Sequence, residues 1–136
     1  MSDDETILMT ELDDQQLAIR VIAMPADTNP SGDIFGGWLM SQVDLAGGVI
    51  AGQRSRGRAV TVAVNSFEFK QPVYVGDLVS FYGHVTKVGN TSITVVVEAY
   101  AQRRTSNEEG VKVTAAELTF VAVDERGRPR KVPKAI

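Results

Sequence analysis

Residues Asn29 to Gly52 read NPSGDIFGGWLMSQVDLAGGVIAG, and Asp44 is the only charge between Gly36 and Gly52. The run from Gly37 to Ala51 is otherwise nearly uncharged and long enough for about four helical turns, which predicts a buried helix. Wound at about 100° per residue, it sets Gly37, Met40, Ser41, Gly48 and Ala51 within about 60° of Asp44, with Trp38, Leu39, Val43, Leu45, Val49 and Ile50 on the flanks and far side. Asp44 thus stands in a stripe of mostly small residues. Gly47, Gly48 and Gly52 each cost about 1 kcal/mol relative to Ala in a helix interior, so close approach of a ligand or another backbone is the expected reason for them.

A mid-helix aspartate can do no more than cap a loop or pair with an arginine, because buried carboxylates are usually partnered. The residues upstream argue for chemistry. Gly36-Gly37 falls where the helix begins, so free backbone N–H groups and the positive end of the helix dipole face any oxygen placed there. Asn29, a neutral amide, comes one short loop earlier.

A chain of 136 residues is expected to form one domain with its own core. Its formal net charge of −3 and pI near 5.1 argue against a general nucleic-acid or anionic-membrane surface. The absence of cysteine removes disulfides, zinc-thiolate sites and thiol nucleophiles. The acidic start MSDDETILM has no apolar stretch behind it and no run approaches about 18 apolar residues, so a cytoplasmic protein without membrane insertion is expected.

Residues 1–14 lack periodicity and are expected to be a flexible lead-in. Gln16 to Met24, QLAIRVIAM, suits a first strand closed at Pro25. Pro25 to Asp33 is a loop. After the helix, Gln53 to Arg58 (QRSRGR) supplies basic residues for its negative end and Gly57 as the expected stop. From Ala59 the period becomes two. Long strands are expected from Ala59 towards Pro72, over Leu78–Val88, over Ser92–Gln102 and over Val111–Val123, with turns at Gly76-Asp77 and Gly89-Asn90. The closing RGRPRKVPKAI, residues 126–136, is expected to be a solvated basic tail, leaving residues 15–125 as the domain. The fold class is therefore α+β: a long central helix wrapped by a curved antiparallel sheet of five to six strands. One helix cannot cover that whole sheet, so a second copy should complete it.

Several chemistries are excluded. No GK[ST] follows a glycine-rich loop; Asp33, Asp44 and His84 lack metal-ligand spacing, so no metal site is expected; and His84, the only histidine, lies in a strand rather than beside a nucleophile. Asp44 is left as the leading base or nucleophile. A carboxylate with oxyanion donors and an amide nearby is equipment for attack on an activated acyl carbonyl, as in thioester hydrolysis.

The segments MPADTNPSGDIFGGWLMSQVDLAGG, GRAVTVAVNSFEF, PVYVGDLVSFYGHVTKVGNTS and LTFVAVDERGRPRKVP resemble the hotdog-fold acyl-CoA thioesterases, in particular the bacterial YciA-type branch, over almost the whole chain after residue 15. The resemblance implies a hotdog fold, dimers whose sheets join, and often a hexamer built as a trimer of dimers. It implies hydrolysis of acyl-CoA to a carboxylic acid and CoA, with CoA as part of substrate and product and no cofactor. It assigns Asp44 as the catalytic carboxylate, Asn29 as the loop amide, and Gly36 or Gly37 as backbone donor to the thioester carbonyl. Arg58, Thr61, Lys87, Gly89, Asn90 and Ser92 match positions lining the CoA arm. Many relatives carry His where this chain has Phe35. Gly36 and Asp44 lie eight positions apart, about 12 Å along a helix, so one carbonyl cannot touch both in one chain. Asp44 of one subunit is expected to face Asn29 and Gly36 of another.

Two other readings compete. Thioester hydratases of the same fold need a histidine with an acidic partner, and His84 lies in the wrong element. A non-enzymatic acyl-CoA-binding module would keep the pocket without needing Asp44.

Overall fold

The computed structural model describes residues 6–7, 15–104 and 110–135; most of the expected lead-in lies outside them. The elements are β1 (Thr6–Ile7), β2 (Gln16–Ile22), α1 (Gly36–Ser55), β3 (Ala59–Phe69), β4 (Leu78–Val88), β5 (Ser92–Gln102) and β6 (Gly110–Ala122), with a 3-10 turn over Pro25–Asp27. Every pairing is antiparallel. The strands run β2, β4, β5, β6 across the sheet, and β6 carries both β1 and β3 along its far side.

Alternation decides which face each strand buries. On β5, Ile93, Val95, Val97 and Ala99 are buried in the core, as are Leu118 and Phe120 of β6 and Val79 and Phe81 of β4. Helix α1 meets this face with Trp38, Leu39, Val43, Ala46, Ile50 and Ala51. Register shifts near Leu17, Thr61, Val64, Val85 and Ala99 interrupt the ladders. Such bulges increase local twist, which lets a sheet follow the curve of a helix.

Gly47 is close to neither a ligand nor another backbone. A Cβ on Gly47 would stand 2.9 Å from Phe120 Cζ, so the close approach there is of an aromatic side chain from β6, not of a ligand or backbone.

The expectation of a helix covered on most sides is corrected. Met40, Leu45 and Val49 remain 44%, 59% and 39% exposed, and Asp44 stands among them, exposed rather than buried. The sheet covers one side of α1 only. Strand β3 lies at the margin with Val62, Val64 and Phe69 about half exposed. An unpaired edge beside an apolar helix face is a surface that a further copy would cover.

The helix stop also differs. Arg56 takes the left-handed conformation at φ 56°, and Gly57 serves a different need, since a Cβ there would stand 2.6 Å from Arg130 Nη2. Arg130 is not part of a solvated tail. Its guanidinium donates to the carbonyls of Val123 at 2.9 Å and Ser55 at 3.0 Å, satisfying a helix-terminal acceptor. Val132 is buried and its N–H donates to Asn90 O at 2.9 Å. The final segment therefore belongs to the packed unit rather than trailing from residue 125.

Candidate active site

The loop before α1 is fixed by its own polar groups. Asp27 Oδ2 accepts the Met24 N–H at 2.9 Å, and the Phe35 N–H donates to Asp27 O at 3.2 Å, bringing the loop's start against the helix entry. Asn29 Oδ1 accepts from the N–H groups of Ser31 at 3.0 Å and Asp33 at 3.1 Å. This uses the carbonyl side of the amide and orients it. Its Nδ2 donates to no other group among the described residues, so the two amide hydrogens remain available.

Helix α1 begins at Gly36 without a side-chain cap. The Trp38 N–H returns to Phe35 O at 3.0 Å, which leaves Gly36 and Gly37 as the first two backbone donors of the helix. Phe35 lays its ring beside Gly37: Cε2 would be 3.0 Å from a Cβ there. Beside Gly36 the neighbour is Phe69 at the end of β3, whose Cζ would be 3.1 Å from a Cβ.

Two turns along the helix, Asp44 Oδ1 accepts a hydrogen bond from Thr61 Oγ1 at 2.5 Å. Thr61 lies on the helix side of β3, opposite Phe120 in register. The sequence grouped Thr61 with the CoA-lining positions; its observed partner is the carboxylate. The contact fixes one oxygen of Asp44 and leaves the other open, and a charge-assisted bond of this kind is among the stronger ones. Asp44 and Gly36 are thus held at opposite ends of β3, by Thr61 and Phe69.

The remaining residues gather at one end. The Val123 N–H donates to Arg58 O at 3.0 Å, the Ala122 N–H to Thr91 O at 2.9 Å, and the Gly89 N–H to Ser92 O at 2.8 Å. These bonds join the start of β3, the β4–β5 hairpin and the last residues of β6. Gly89 and Asn90 form the turn itself, with Ser92 Oγ only 2.5 Å from where a Gly89 Cβ would be. Eight of the fourteen basic residues lie in the stretches 54–58 and 126–134 that meet here. Arg130 is consumed by backbone carbonyls, Arg54 donates to Pro133 O at 2.6 Å, and Arg128 pairs with Asp124 at 3.3 Å. The side chains of Arg58, Lys87, Arg126 and Lys131 make no ion pair among the described residues, so this end holds uncompensated positive charge despite the acidic total.

Residues 31–107 match the thioesterase superfamily model. The chain is 45% identical over 130 residues to the acyl-CoA thioester hydrolase YciA of Salmonella typhimurium, covering 92% of this chain and 98% of that one. Among solved structures it is similar to an aspartate-to-alanine variant of HI0827, a hexameric broad specificity acyl-coenzyme A thioesterase, with a TM-score of 0.84, 48% identity and coverage of 88% and 87%. The hexameric thioesterase y2039 from Yersinia pestis superposes with a TM-score of 0.82 at 45% identity, over 88% of this chain and 97% of that one. With a hotdog sheet around one long helix and nearly half its residues shared over most of its length, this chain belongs to the thioesterase superfamily, in its YciA-type acyl-CoA thioester hydrolase branch.

Proposed function

We propose that the protein hydrolyses acyl-CoA thioesters to a free carboxylic acid and CoA at a site shared by two subunits. The observation that carries this reading is the pair of anchors on β3, Thr61 holding Asp44 at one end and Phe69 flanking Gly36 at the other. Strand β3 is an exposed edge. If it pairs antiparallel with its own copy, the Thr61 end of one strand lies beside the Phe69 end of the other, and Asp44 of one subunit approaches Gly36 of its partner. Two equivalent sites result, as a two-fold axis requires. The same pairing covers the open apolar face of α1.

In that arrangement the thioester oxygen receives the Gly36 and Gly37 N–H groups at the positive end of the partner's helix, where negative charge develops as the carbonyl carbon is attacked. Asp44 either takes a proton from water as that water adds to the carbon, or adds itself and is released by water in a second step. In both routes the carbon–sulfur bond breaks and the CoA sulfur leaves with a proton. Asn29, its carbonyl engaged in the loop, offers its free Nδ2 hydrogens to the reacting group. The cations Arg58 and Lys87, with the hairpin Gly89, Asn90 and Ser92, form the side from which CoA phosphates are held. Three such dimers form the hexamer, as in the relatives described as hexameric.

Release of free thiol from a panel of acyl-CoAs tests the reading. Asp44→Ala should remain a folded oligomer and lose at least about a hundredfold in kcat. A variant with near-unchanged kcat would remove Asp44 from the chemistry, and a wild type inert towards every acyl-CoA would favour the binding module instead.

A further inference from the structure

We propose that the acyl chain enters the hollow beside Gly36 and that Phe69 sets how long a chain it accepts. The inference rests on the thioesterase reading and concerns the substrate end that this reading leaves open.

The hollow has a volume of about 440 Å³ and is bordered by Gly36 itself, with Ile34, Leu39, Phe69, Pro72 and Val73 supplying a mostly apolar wall that Lys70 and Gln71 complete. That is within the range of pockets that hold small molecules. A carbonyl oxygen bound at the Gly36 N–H sets the carbonyl carbon at the lip of this space. Its two other substituents must then diverge. The sulfur and CoA arm leave towards the partner's Arg58, so the acyl chain is directed into the mostly apolar hollow. Three other hollows, one bordered by Gln16, Gln53 and His84 and two bordered by Arg104, contain neither Gly36 nor Asp44.

The walls differ in rigidity. Leu39 and Val73 are 4% and 3% exposed and belong to the core, so they are fixed by close packing. Phe69 is 57% exposed; its one ring contact is with Phe67, centroids 4.9 Å apart. Its ring tip also crosses the helix entry, 3.1 Å from the site of a Gly36 Cβ. It lies outside the core, on the margin that the proposed β3 pairing covers, and is the large apolar wall whose size can be changed without opening the core. Val43 is fully buried in the core and borders none of this space.

The test measures kcat/KM for short, medium and long straight-chain acyl-CoAs in wild type, Phe69→Ala, Phe69→Leu and Phe69→Trp. Removing the ring should raise the long-to-short ratio by about tenfold or more, with Phe69→Leu intermediate, since each methylene accommodated in an apolar pocket changes discrimination by about tenfold or more. Phe69→Trp should shift the ratio the other way. Variants that change every chain length by one common factor, or not at all, would overturn the proposal while leaving thiol release by the wild type, and with it the thioesterase reading, intact. Native mass measurement of each variant accompanies the rates. If Phe69→Ala does not assemble, the ratio in Phe69→Leu and Phe69→Trp decides the question by the same criterion.

Discussion

At the scale of single residues, the Thr61–Asp44 hydrogen bond separates a positioned carboxylate from a merely exposed one. Charge-assisted bonds are worth about 1.5–3 kcal/mol, so Thr61→Ala should lower kcat by about tenfold to a hundredfold. KM should move less, because the bond orients Asp44 for the chemical step and does not hold the bound substrate. Thr61→Ser, which keeps the hydroxyl, should recover most of the rate; equal loss in both variants would mean that the methyl packing, not the bond, is what matters. Glu98 gives a second test, on stability. It lies on the sheet face turned from α1, accepting Gln15 Nε2 at 2.8 Å and paired with Lys112. Burial pushes its carboxyl up, but the hydrogen bonds from Lys112 and Gln15 and the Lys112 charge outweigh this and hold it below its ordinary 4.5. A carboxylate with a depressed folded-state pKa contributes stability that is present above the unfolded pKa and lost as pH falls through the folded one. Urea midpoints of wild type should therefore fall below about pH 4.5 more steeply than those of Glu98→Gln; parallel profiles would contradict the pairing. Asp44 and Asn29 could be singled out in the sequence because each is a polar residue in a setting that does not otherwise need one. The role of Phe69 could not, because β-alternation marks it only as one more apolar strand residue.

At the scale of elements, the glycines of α1 divide by what surrounds them. Gly47→Ala would drive a Cβ to within 3.0 Å of two ring atoms of the buried Phe120, and overpacking of that kind costs about 1–3 kcal/mol, more than the roughly 1 kcal/mol gained in helix propensity. Gly52→Ala meets nothing closer than Gly57 O at 3.5 Å, so the propensity gain should prevail. Urea unfolding should find the first variant less stable than wild type and the second equal or more stable; the reverse order would contradict the packing described. The extents of β4 and β5 were readable because apolar and polar residues alternate between clear turn residues. The end of α1 was not, because the left-handed position fell on Arg56 while Gly57 made room for Arg130. Nor could composition tell that the last residues are docked: a basic tail and a basic clamp on helix carbonyls have the same letters, and only the partners of Arg130 and Val132 distinguish them.

At the scale of the whole molecule, the single chain leaves two things incomplete, and one pairing would complete both. Among the described residues nothing lies over the apolar face of α1 or the edge of β3, and Asp44 lies about 12 Å along the helix from the donors at Gly36. The sequence carried this in the eight-residue spacing and in a sheet too large for one helix to cover, although it overestimated how far that sheet would wrap the helix. The most direct test of the shared site is complementation. Asp44→Ala and Asn29→Ala subunits, each inactive alone, are co-expressed with different tags and the doubly tagged assemblies isolated. A mixed dimer carries one site with both defects and one with neither, so it should recover about half of wild-type activity, and random re-pairing of equal amounts about a quarter, with independent sites. Activity returning in the mixed dimers is the predicted result. Mixed dimers as inactive as both parents would contradict the shared site and, with it, the roles of Asn29 and Gly36.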